Sequence, residues 1–199
     1  MGKMNFDRLF RMKSNTTQPR QGHIIVSLPI LMDMYFGRSV VLLVDYYAGE
    51  GTFGLIMNKP TNFMVNEVMD GLPNFDARVY IGGPVERDRL FFLHTVGDRI
   101  AHSSKVMDGL YCGGDIESLS QLMRDGEIQP HEIRFFMGYS GWSRGQLEQE
   151  LSENAWLVSP VTAEVLFTTC PDNMWEASVR RMGKKYQHWR YFPLNLEDN

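Results

Sequence analysis

The run SVVLLVDYY, Ser39 to Tyr47, restricts the possible folds of this chain more than any other stretch of its sequence. Apolar side chains stand at consecutive positions in it, whereas a strand with one solvated face alternates apolar and polar residues. The run therefore predicts a strand that is buried on both faces. The segment AGEG follows as a turn, and TFGLIMN, Thr52 to Asn58, is the predicted hairpin partner. Together the two strands predict a sheet with a buried centre.

Further strands and helices follow one another without strict alternation. Strands are predicted at His23–Leu28, Arg78–Gly83, Leu90–Val96 and Glu132–Gly138, with a weaker one in KVMDGLYCG and a charged loop in PVERDR. Helical segments are predicted near Leu31–Phe36, at Phe63–Met69 and over DIESLSQLMRDG, with Asp115 as N-cap and Gly126 as the stop. Because hairpins occur among these elements, the pattern favours an α+β or mixed α/β fold over a doubly wound parallel sheet.

The length of 199 residues fits one domain that spans residues 1–199 and buries a full core. Cys112 and Cys170 form neither a disulfide framework nor a metal motif, which is typical of a reducing compartment. The N-terminus carries no continuous apolar segment, so we expect a cytoplasmic protein without a membrane span. The five histidines show no metal-binding spacing, and we expect no metal and no cofactor.

Positive charge is concentrated at the two ends of the chain. Residues 1–21 hold five basic residues against one acidic residue, and residues 174–191 hold five against one. Between them, residues 22–173 hold ten basic and twenty acidic residues. The N-terminal end is predicted as a basic amphipathic helix, with Phe6, Leu9 and Phe10 on one face, and a linker. The basic ends either pack against the acidic body, or one of them is an anion-binding patch.

The C-terminal basic segment is predicted to be a helix over residues 174–191, with Asn173 as its cap. Apolar and aromatic residues recur there at helical spacing, namely Trp175, Val179, Met182, Tyr186 and Trp189. Such a stripe usually docks on the domain and leaves residues such as Arg181 in solvent. The alternative is a surface for a partner, a membrane or a nucleic acid. Since the chain has a net charge of −4 and no helix-turn-helix signature, we expect no specific nucleic-acid binding.

The segment GYSGWSRGQL, Gly138 to Leu147, fits a helix start better than a catalytic turn. A serine nucleophile turn needs G-x-S-x-G, and here the second glycine comes one residue early. With Ser143 as N-cap, Gln146 completes a capping box, and Trp142 and Leu147 take the positions of a hydrophobic staple. The alternative is an anion site, because free N–H groups at a helix N-terminus attract negative charge.

A few other positions are suited to a ligand. Lys59 places a cation at the end of a hydrophobic strand, and glycines before Pro84 permit close approach to the backbone, although turn chemistry explains both features equally well. No nucleophile–base pair can be assembled from motif spacing, so no catalytic residue is predicted. The candidate ligand-binding residues are Asn58, Lys59, Gly82, Gly83, Ser140, Trp142 and Gln146.

Several motifs, taken together, resemble the AlgH/YqgE family of bacterial proteins. The matching segments are GLIMNKP (54–60), YIGGPV (80–85), RFFMGYSGWSRGQLEQEL (134–151) and NAWL (154–157), with HIIVSLP, FGRSVVLL and a final W-x-x-x-V-x-x-x-G helix in the expected order. Two positions depart from the family pattern: Lys59 stands where arginine is more usual, and Ser143 where glycine is common.

The resemblance implies a single compact α+β domain with a bent, barrel-like mixed sheet and flanking helices, and it implies no catalytic residues. It also carries a family-level link to transcriptional regulation. Two functions therefore stay open. The first is a non-enzymatic binding or regulatory protein that acts through the glycine-rich loops or the basic ends, for example on a protein partner. The second is a protein or enzyme that binds a small, nucleotide-like anionic ligand at the glycine-rich loops.

Overall fold

The computed structural model describes residues 17–192, except residues 30, 32, 48 and 49. The predicted N-terminal helix lies outside the described residues. The described residues form ten strands: β1 (Ile24–Ser27), β2 (Val40–Tyr47), β3 (Gly51–Ile56), β4 (Pro60–Met64), β5 (Arg78–Ile81), β6 (Val85–His94), β7 (Ser104–Met107), β8 (Leu110–Cys112), β9 (Ile133–Trp142) and β10 (Trp156–Ser159). The α-helices are α1 (Val65–Val68), α2 (Ile116–Arg124), α3 (Gln146–Ser152), α4 (Ala163–Thr168) and α5 (Pro171–Arg181), and 3-10 segments lie at Gly97–Arg99, Pro130–Glu132 and Lys184–Tyr191.

The strands form one large sheet in the order β10-β1-β2-β3-β9-β6-β8-β7. All neighbours on this path are antiparallel, whereas β5 runs parallel to β9 and also pairs with β4. The sheet is not closed within the described residues. Helices and strands thus share one domain without the alternation of a doubly wound fold, and the predicted α+β class is confirmed.

Strand β2 is buried on both faces, as its sequence predicts. Val40 and Leu42 belong to the apolar cluster on one face, and Val41 and Leu43 belong to the cluster on the other. We call these the first face and the second face of the sheet. Helix α5 lies over the first face, where Trp175 Nε1 donates to the Ser27 carbonyl oxygen at 2.9 Å. A third apolar cluster forms between α2 and the N-terminal end of β9.

Helix α2 confirms its predicted boundaries. The Asp115 carboxylate accepts the backbone N–H of Ser118 at 2.8 Å, which is the N-cap bond that the sequence predicts. The hydrogen bonds also raise the preference of this carboxyl for its ionised form, so its pKa is lowered. Gly126 follows the helix with φ 69° and ends it.

Two segments differ from the prediction. The predicted loop PVERDR is wrong, because β6 already begins at Val85 and passes through a register shift before it pairs regularly from Leu90. Its exposed charged residues continue the strand beyond the core, where polar side chains carry no burial cost. The predicted helix Phe63–Met69 is shorter as well. Residues Pro60–Met64 pair with β5, and only α1 is helical.

The C-terminal segment docks as predicted but is not one helix. Trp175 and Tyr186 are buried, at 4% and 3% exposure, and Arg181 is exposed. The helix α5 begins at Pro171, so Asn173 is not its cap, and a proline at the first helical position explains the earlier start. Gly183 has φ 113° and separates α5 from the 3-10 segment that follows. The docking prediction is confirmed, and the continuous helix over residues 174–191 is wrong.

The helix start after β9 also lies later than predicted. Strand β9 continues through Trp142, and Gly145 precedes α3 with φ 75°, a left-handed conformation that ends the turn before the helix. Ser143 is therefore not the N-cap, and its Oγ donates to Gln146 Oε1 at 3.1 Å. The Gln146 side chain still accepts the Ser143 N–H at 3.0 Å. Trp142 and Leu147 share one buried cluster, as a staple requires.

Candidate functional site

The seven candidate residues from the sequence lie at three places. Asn58 and Lys59 lie in the loop between β3 and β4, beside the start of β2. Gly82, Gly83 and Ser140 lie where the chain leaving β5 crosses β9. Trp142 and Gln146 lie at the approach to α3.

The glycine pair occupies a crossing where β9 changes its neighbour. Residues before Gly138 pair with β5, and residues after it pair with β3. A Cβ on Gly82 would lie 2.1 Å from the Gly138 carbonyl oxygen, and a Cβ on Gly83 would lie 2.2 Å from that of Tyr139. The Gly82 carbonyl oxygen accepts bonds from Ile56 N–H and Ser140 Oγ, both at 3.0 Å. These glycines are required for strand packing.

The segment that leads from Trp142 into Gln146, which we call the approach to α3, is held in place by one carboxylate. Glu150 Oε2 accepts the indole N–H of Trp142 at 2.9 Å and that of Trp156 at 2.7 Å. Gln146 Nε2 donates to the other oxygen, Glu150 Oε1, at 3.0 Å. The indole rings of the two tryptophans lie edge to face, 6.0 Å apart. The polar groups at this place are therefore hydrogen-bonded to one another.

Asn58 and Lys59 hold the segment that leads into β2. Asn58 Oδ1 accepts the Val40 N–H at 2.8 Å, and Asn58 Nδ2 donates to the Arg38 carbonyl oxygen at 2.9 Å. Lys59 Nζ donates to the Gly37 carbonyl oxygen at 2.8 Å. The two side chains thereby fix the backbone around Arg38.

Arg38 itself was not predicted as a site residue. Its φ is 49°, a left-handed value that is uncommon for a residue other than glycine and marks a position worth functional scrutiny. The guanidinium lies 5.1 Å from the centroid of the Trp175 ring and donates through Nη2 to the Phe192 carbonyl oxygen. Its buried Nε has no hydrogen-bond partner within the described part of the chain.

These groups line an open cleft of about 480 Å³, which we call the cationic cleft. The cleft lies between the β3–β4 loop, the first turn of α5 and the C-terminal 3-10 segment. Three cationic and two acidic side chains face it among its lining residues, which are Arg38, Asn58, Lys59, Pro60, Ile81, Pro171, Asp172, Trp175, Glu176 and Arg190. The N-terminus of α5, an eleven-residue helix, adds a positive dipole end to this wall.

The charges in the cationic cleft are unequally compensated. Burial lowers the pKa of Lys59, and the nearby Asp33 carboxylate offsets only part of that effect. Glu176, by contrast, accepts a hydrogen bond from Arg180 at 2.7 Å and lies 3.7 Å from Arg190, and these two cations, together with the charge of Arg38, lower its pKa. The main acidic group is therefore already paired, whereas Lys59 has only a backbone carbonyl as its hydrogen-bond acceptor among the described residues.

A second cation, Arg134, is buried next to the β3–β4 loop and holds its first residue. Arg134 is 7% exposed and donates to the Met57 carbonyl oxygen at 3.1 Å. Its guanidinium carbon lies 4.7 Å from the Tyr80 ring and 5.1 Å from the Phe167 ring, and no carboxylate pairs with it in the described residues. Burial lowers its pKa. Arg134 thus fixes the end of β3 next to Asn58 and Lys59.

Sequence reasoning found two residues of this cleft and missed its other cations. Trp175 and Arg190 were assigned to a docking helix, and Arg38 carried no local signal, since left-handed φ values are typical of Gly, Asn or Asp. Among the residues that the structure describes, no group of three potential ligands is placed to hold a metal ion. No helix in that same part of the chain is long and apolar enough to cross a membrane.

Comparison with known proteins identifies relatives along nearly the whole chain. The model of a family described as AlgH-like matches residues 24–187. A UPF0301 protein of Bacteroides thetaiotaomicron is 40% identical over 96% of this chain and 97% of its own length. Another, from Parabacteroides distasonis, is 36% identical over 95% of this chain and 96% of its own. The designation of these relatives states no activity.

Two solved structures share the architecture. The solution structure of the AlgH protein from Pseudomonas aeruginosa is 30% identical, with a TM-score of 0.69 over 84% of this chain and 93% of that one. A crystal structure of a protein from Corynebacterium diphtheriae has a TM-score of 0.75 over 95% of this chain and 100% of its own, at 23% identity. The second likeness shows the fold alone.

Proposed function

This chain belongs to the AlgH-like family, and from that premise we propose that it is a non-enzymatic binding protein that holds a small anionic ligand in the cationic cleft. The proposal joins the two functions that the sequence left open. Binding of the anion is the event at the cleft, and any regulatory effect follows from it through a partner. The regulatory part rests on the family-level link that the sequence resemblance implies, which is an analogy.

The observation that carries the proposal is the incomplete pairing of Lys59 and Arg38. Lys59 is half-buried, and of its three donor hydrogens one is directed to the Gly37 carbonyl oxygen. Arg38 has a buried Nε without a hydrogen-bond partner in the described chain. The hydrogen bond from Asn58 Nδ2 to the Arg38 carbonyl oxygen maintains the backbone conformation at this position. Buried cationic donors are costly unless paired, so an anion between these side chains would stabilise both.

The chemistry of the donors indicates a phosphate or carboxylate group. A guanidinium and an ammonium that line one cleft match the oxygens of either group. The first turn of α5 adds dipolar attraction for the same charge. The volume of the cationic cleft, about 480 Å³, is within the range of small-molecule sites.

Location and nucleic-acid binding belong to the same proposal. Cys112 and Cys170 are unpaired in the structure, which supports a reducing, cytoplasmic environment. Nucleic acid is expected to bind weakly and without sequence preference, and this binding should fall steeply with salt. Salt-resistant, sequence-selective binding to DNA would contradict this part of the proposal.

Thermal unfolding with inorganic pyrophosphate and with citrate tests the proposal. A ligand at about a hundredfold excess over its Kd stabilises the folded state by about 2.7 kcal/mol. For a domain of this size, that corresponds to a rise in Tm of about 5 °C or more. Sodium chloride at matched ionic strength controls for general screening.

A matched pair of variants locates the effect. Lys59→Met should remove most of the rise in Tm, whereas Lys105→Met, which removes an exposed cation on β7 outside the cationic cleft, should retain it. An equal rise in both variants would place the anion elsewhere. No rise with either probe in the wild-type protein would reject the anionic ligand.

A further inference from the structure

Three half-buried aromatic rings lie together on the first face of the sheet. Phe53 of β3, Phe91 of β6 and Tyr139 of β9 all pack against the apolar cluster of this face. The ring centroids of Phe53 and Tyr139 lie 4.9 Å apart, and the Phe91 centroid lies 5.4 Å from the first and 5.6 Å from the second. Because the three side chains keep part of their surface in solvent, they line an open groove of about 690 Å³, which we call the aromatic groove.

The strand register places a carboxylate on one side of the Phe53 ring and a glycine on the other. Asp45 of β2 pairs with Phe53, and Phe53 in turn pairs with Gly141 of β9. Residues paired in this way lie on the same side of a sheet, with Cβ atoms about 5 Å apart. The Asp45 side chain therefore lies beside the Phe53 ring. A Cβ on Gly141 would lie 3.0 Å from Tyr139 Cε2, so the glycine keeps the space next to this second ring open.

The charge of the aromatic groove is negative and only partly compensated. Its lining contains three carboxylates and one cation, which belong to Asp45, Glu50, Glu86 and Arg89. Arg89 Nη1 lies 3.0 Å from Glu86 Oε2, so the cation is already paired with one of the three carboxylates. Asp45 and Glu50 form no ion pair with any described residue. Two negative charges beside the rings are thus left uncompensated within the described part of the chain.

Arg89 indicates which chemical group suits such a combination of ring and carboxylate. Its guanidinium carbon lies 5.4 Å from the centroid of the Phe91 ring, while the same head group pairs with Glu86. A cation within about 6 Å of an aromatic face is attracted by the negative charge of that face. A planar guanidinium in addition matches the two oxygens of a carboxylate. On the other side of β9, Phe53 and Asp45 repeat this combination without a cation from the described residues.

We propose that the aromatic groove binds an arginine side chain of a partner protein. The guanidinium lies against the Phe53 and Tyr139 rings and pairs with the Asp45 carboxylate. A protein partner fits better than a small molecule, because small-molecule sites bury most of the ligand surface and this groove is open to solvent. Tyr47, which is 62% exposed and also lines the groove, adds a contact of the type enriched in protein interfaces. No residue of the aromatic groove lines the cationic cleft, so the inference goes beyond anion binding and does not depend on it.

NMR titration of the full-length protein tests the proposal. The probe is a blocked tripeptide of arginine between two leucines, and the control is the same peptide with citrulline, which keeps the shape of arginine without its charge. The arginine peptide should shift the ring C–H signals of Phe53, Phe91 and Tyr139 in a saturable manner. The citrulline peptide should bind about tenfold more weakly, since it loses the attraction to the rings and to Asp45. Equal affinities of the two peptides, or shifts confined to residues outside the aromatic groove, would overturn the proposal.

Variants and a small cation complete the test. Asp45→Asn should weaken binding of the arginine peptide severalfold, whereas Asp76→Asn, the same change at an exposed position outside the aromatic groove, should leave it unchanged. Tyr139→Leu keeps an apolar side chain but removes a ring, and it should weaken binding as well. Equal affinity in the two aspartate variants would refute the pairing with Asp45. Propylguanidinium carries the head group alone and should bind severalfold more weakly than the peptide, and equal affinity would assign the groove to a small cation and overturn the protein partner.

Discussion

The cationic cleft and the approach to α3 look alike in sequence and differ in the structure. Both follow a hydrophobic strand, and both contain polar residues and an adjacent helix N-terminus. At α3, the indole and amide donors of Trp142, Trp156 and Gln146 are all accepted by the Glu150 carboxylate. In the cationic cleft, Lys59 Nζ donates to a backbone carbonyl oxygen, and Arg38 Nε has no hydrogen-bond partner among the described residues. A polar segment is free to bind a ligand only where its neighbours leave its donors unused.

The largest expected effect is a loss in the free energy of unfolding of the protein when a residue at the approach to α3 is replaced. Trp142→Ala removes a side chain that is 5% exposed and touches Phe36 and Trp156, so it leaves a cavity in the second-face cluster. We expect a loss of about 3 kcal/mol in the free energy of unfolding, measured by urea denaturation. Tyr47→Ala, at a residue that is 62% exposed, is the control and should change it by less than about 0.5 kcal/mol.

Glu150→Leu tests whether the Glu150 carboxylate serves to stabilise the approach to α3, as opposed to binding a ligand there. The change leaves two indole N–H groups without their acceptor, at a cost of about 2 kcal/mol. The effect should appear in urea denaturation, with anion binding at the cationic cleft unaffected. If the variant keeps wild-type stability and loses a ligand, the approach to α3 is a binding site and the comparison fails.

The pH dependence of anion binding sharpens the other half of the comparison. Burial lowers the pKa of Lys59 below the usual 10.5, so its ammonium loses the proton at a lower pH than an exposed lysine does. The bound anion favours the protonated form, and affinity therefore declines as the pH rises toward 10.5. Isothermal titration calorimetry at several pH values measures this. An affinity that stays constant through the alkaline range would exclude Lys59 as the principal contact.

Ser143→Ala has the smallest expected effect. An N-cap serine contributes about 1 kcal/mol, but Ser143 stands two residues before the actual cap, and its exposed Oγ only donates to Gln146. We expect a change below about 0.5 kcal/mol in urea denaturation. A loss near 1 kcal/mol would mean that the serine caps the helix in solution after all.

Local sequence patterns predicted the structure correctly where the feature depends on a single helix or strand. The apolar run of β2 predicted burial on two faces, Asp115 predicted a cap, and the aromatic spacing after residue 174 predicted docking. Each of these rests on periodicity or on a bond between residues three or four apart. Such patterns hold because little outside the element can change them.

The cationic cleft depends on contacts that no local pattern contains. Arg38 reaches Trp175, 137 positions along the chain, and the backbone at Gly37 and Arg38 is held by Lys59 and Asn58 of the β3–β4 loop. The end of β9 was misjudged for a related reason. Its glycines suggested the end of a strand, but Gly138 lies where two neighbouring strands exchange places beside it. Tertiary crossings of this kind override local turn signals.

The crossing at Gly82, Gly83 and Gly138 also determines how a survey of mutational tolerance will look. Every substitution adds at least a Cβ, and at Gly82 that atom would fall 2.1 Å from the backbone carbonyl oxygen of Gly138. These positions should therefore reject all nineteen alternatives in a saturation screen for folded protein, more strictly than Lys59 or Arg190 do. Intolerance to substitution at these glycines therefore reflects strand geometry and does not mark a ligand site. The residues that contact a ligand will be among those where substitution still gives folded protein.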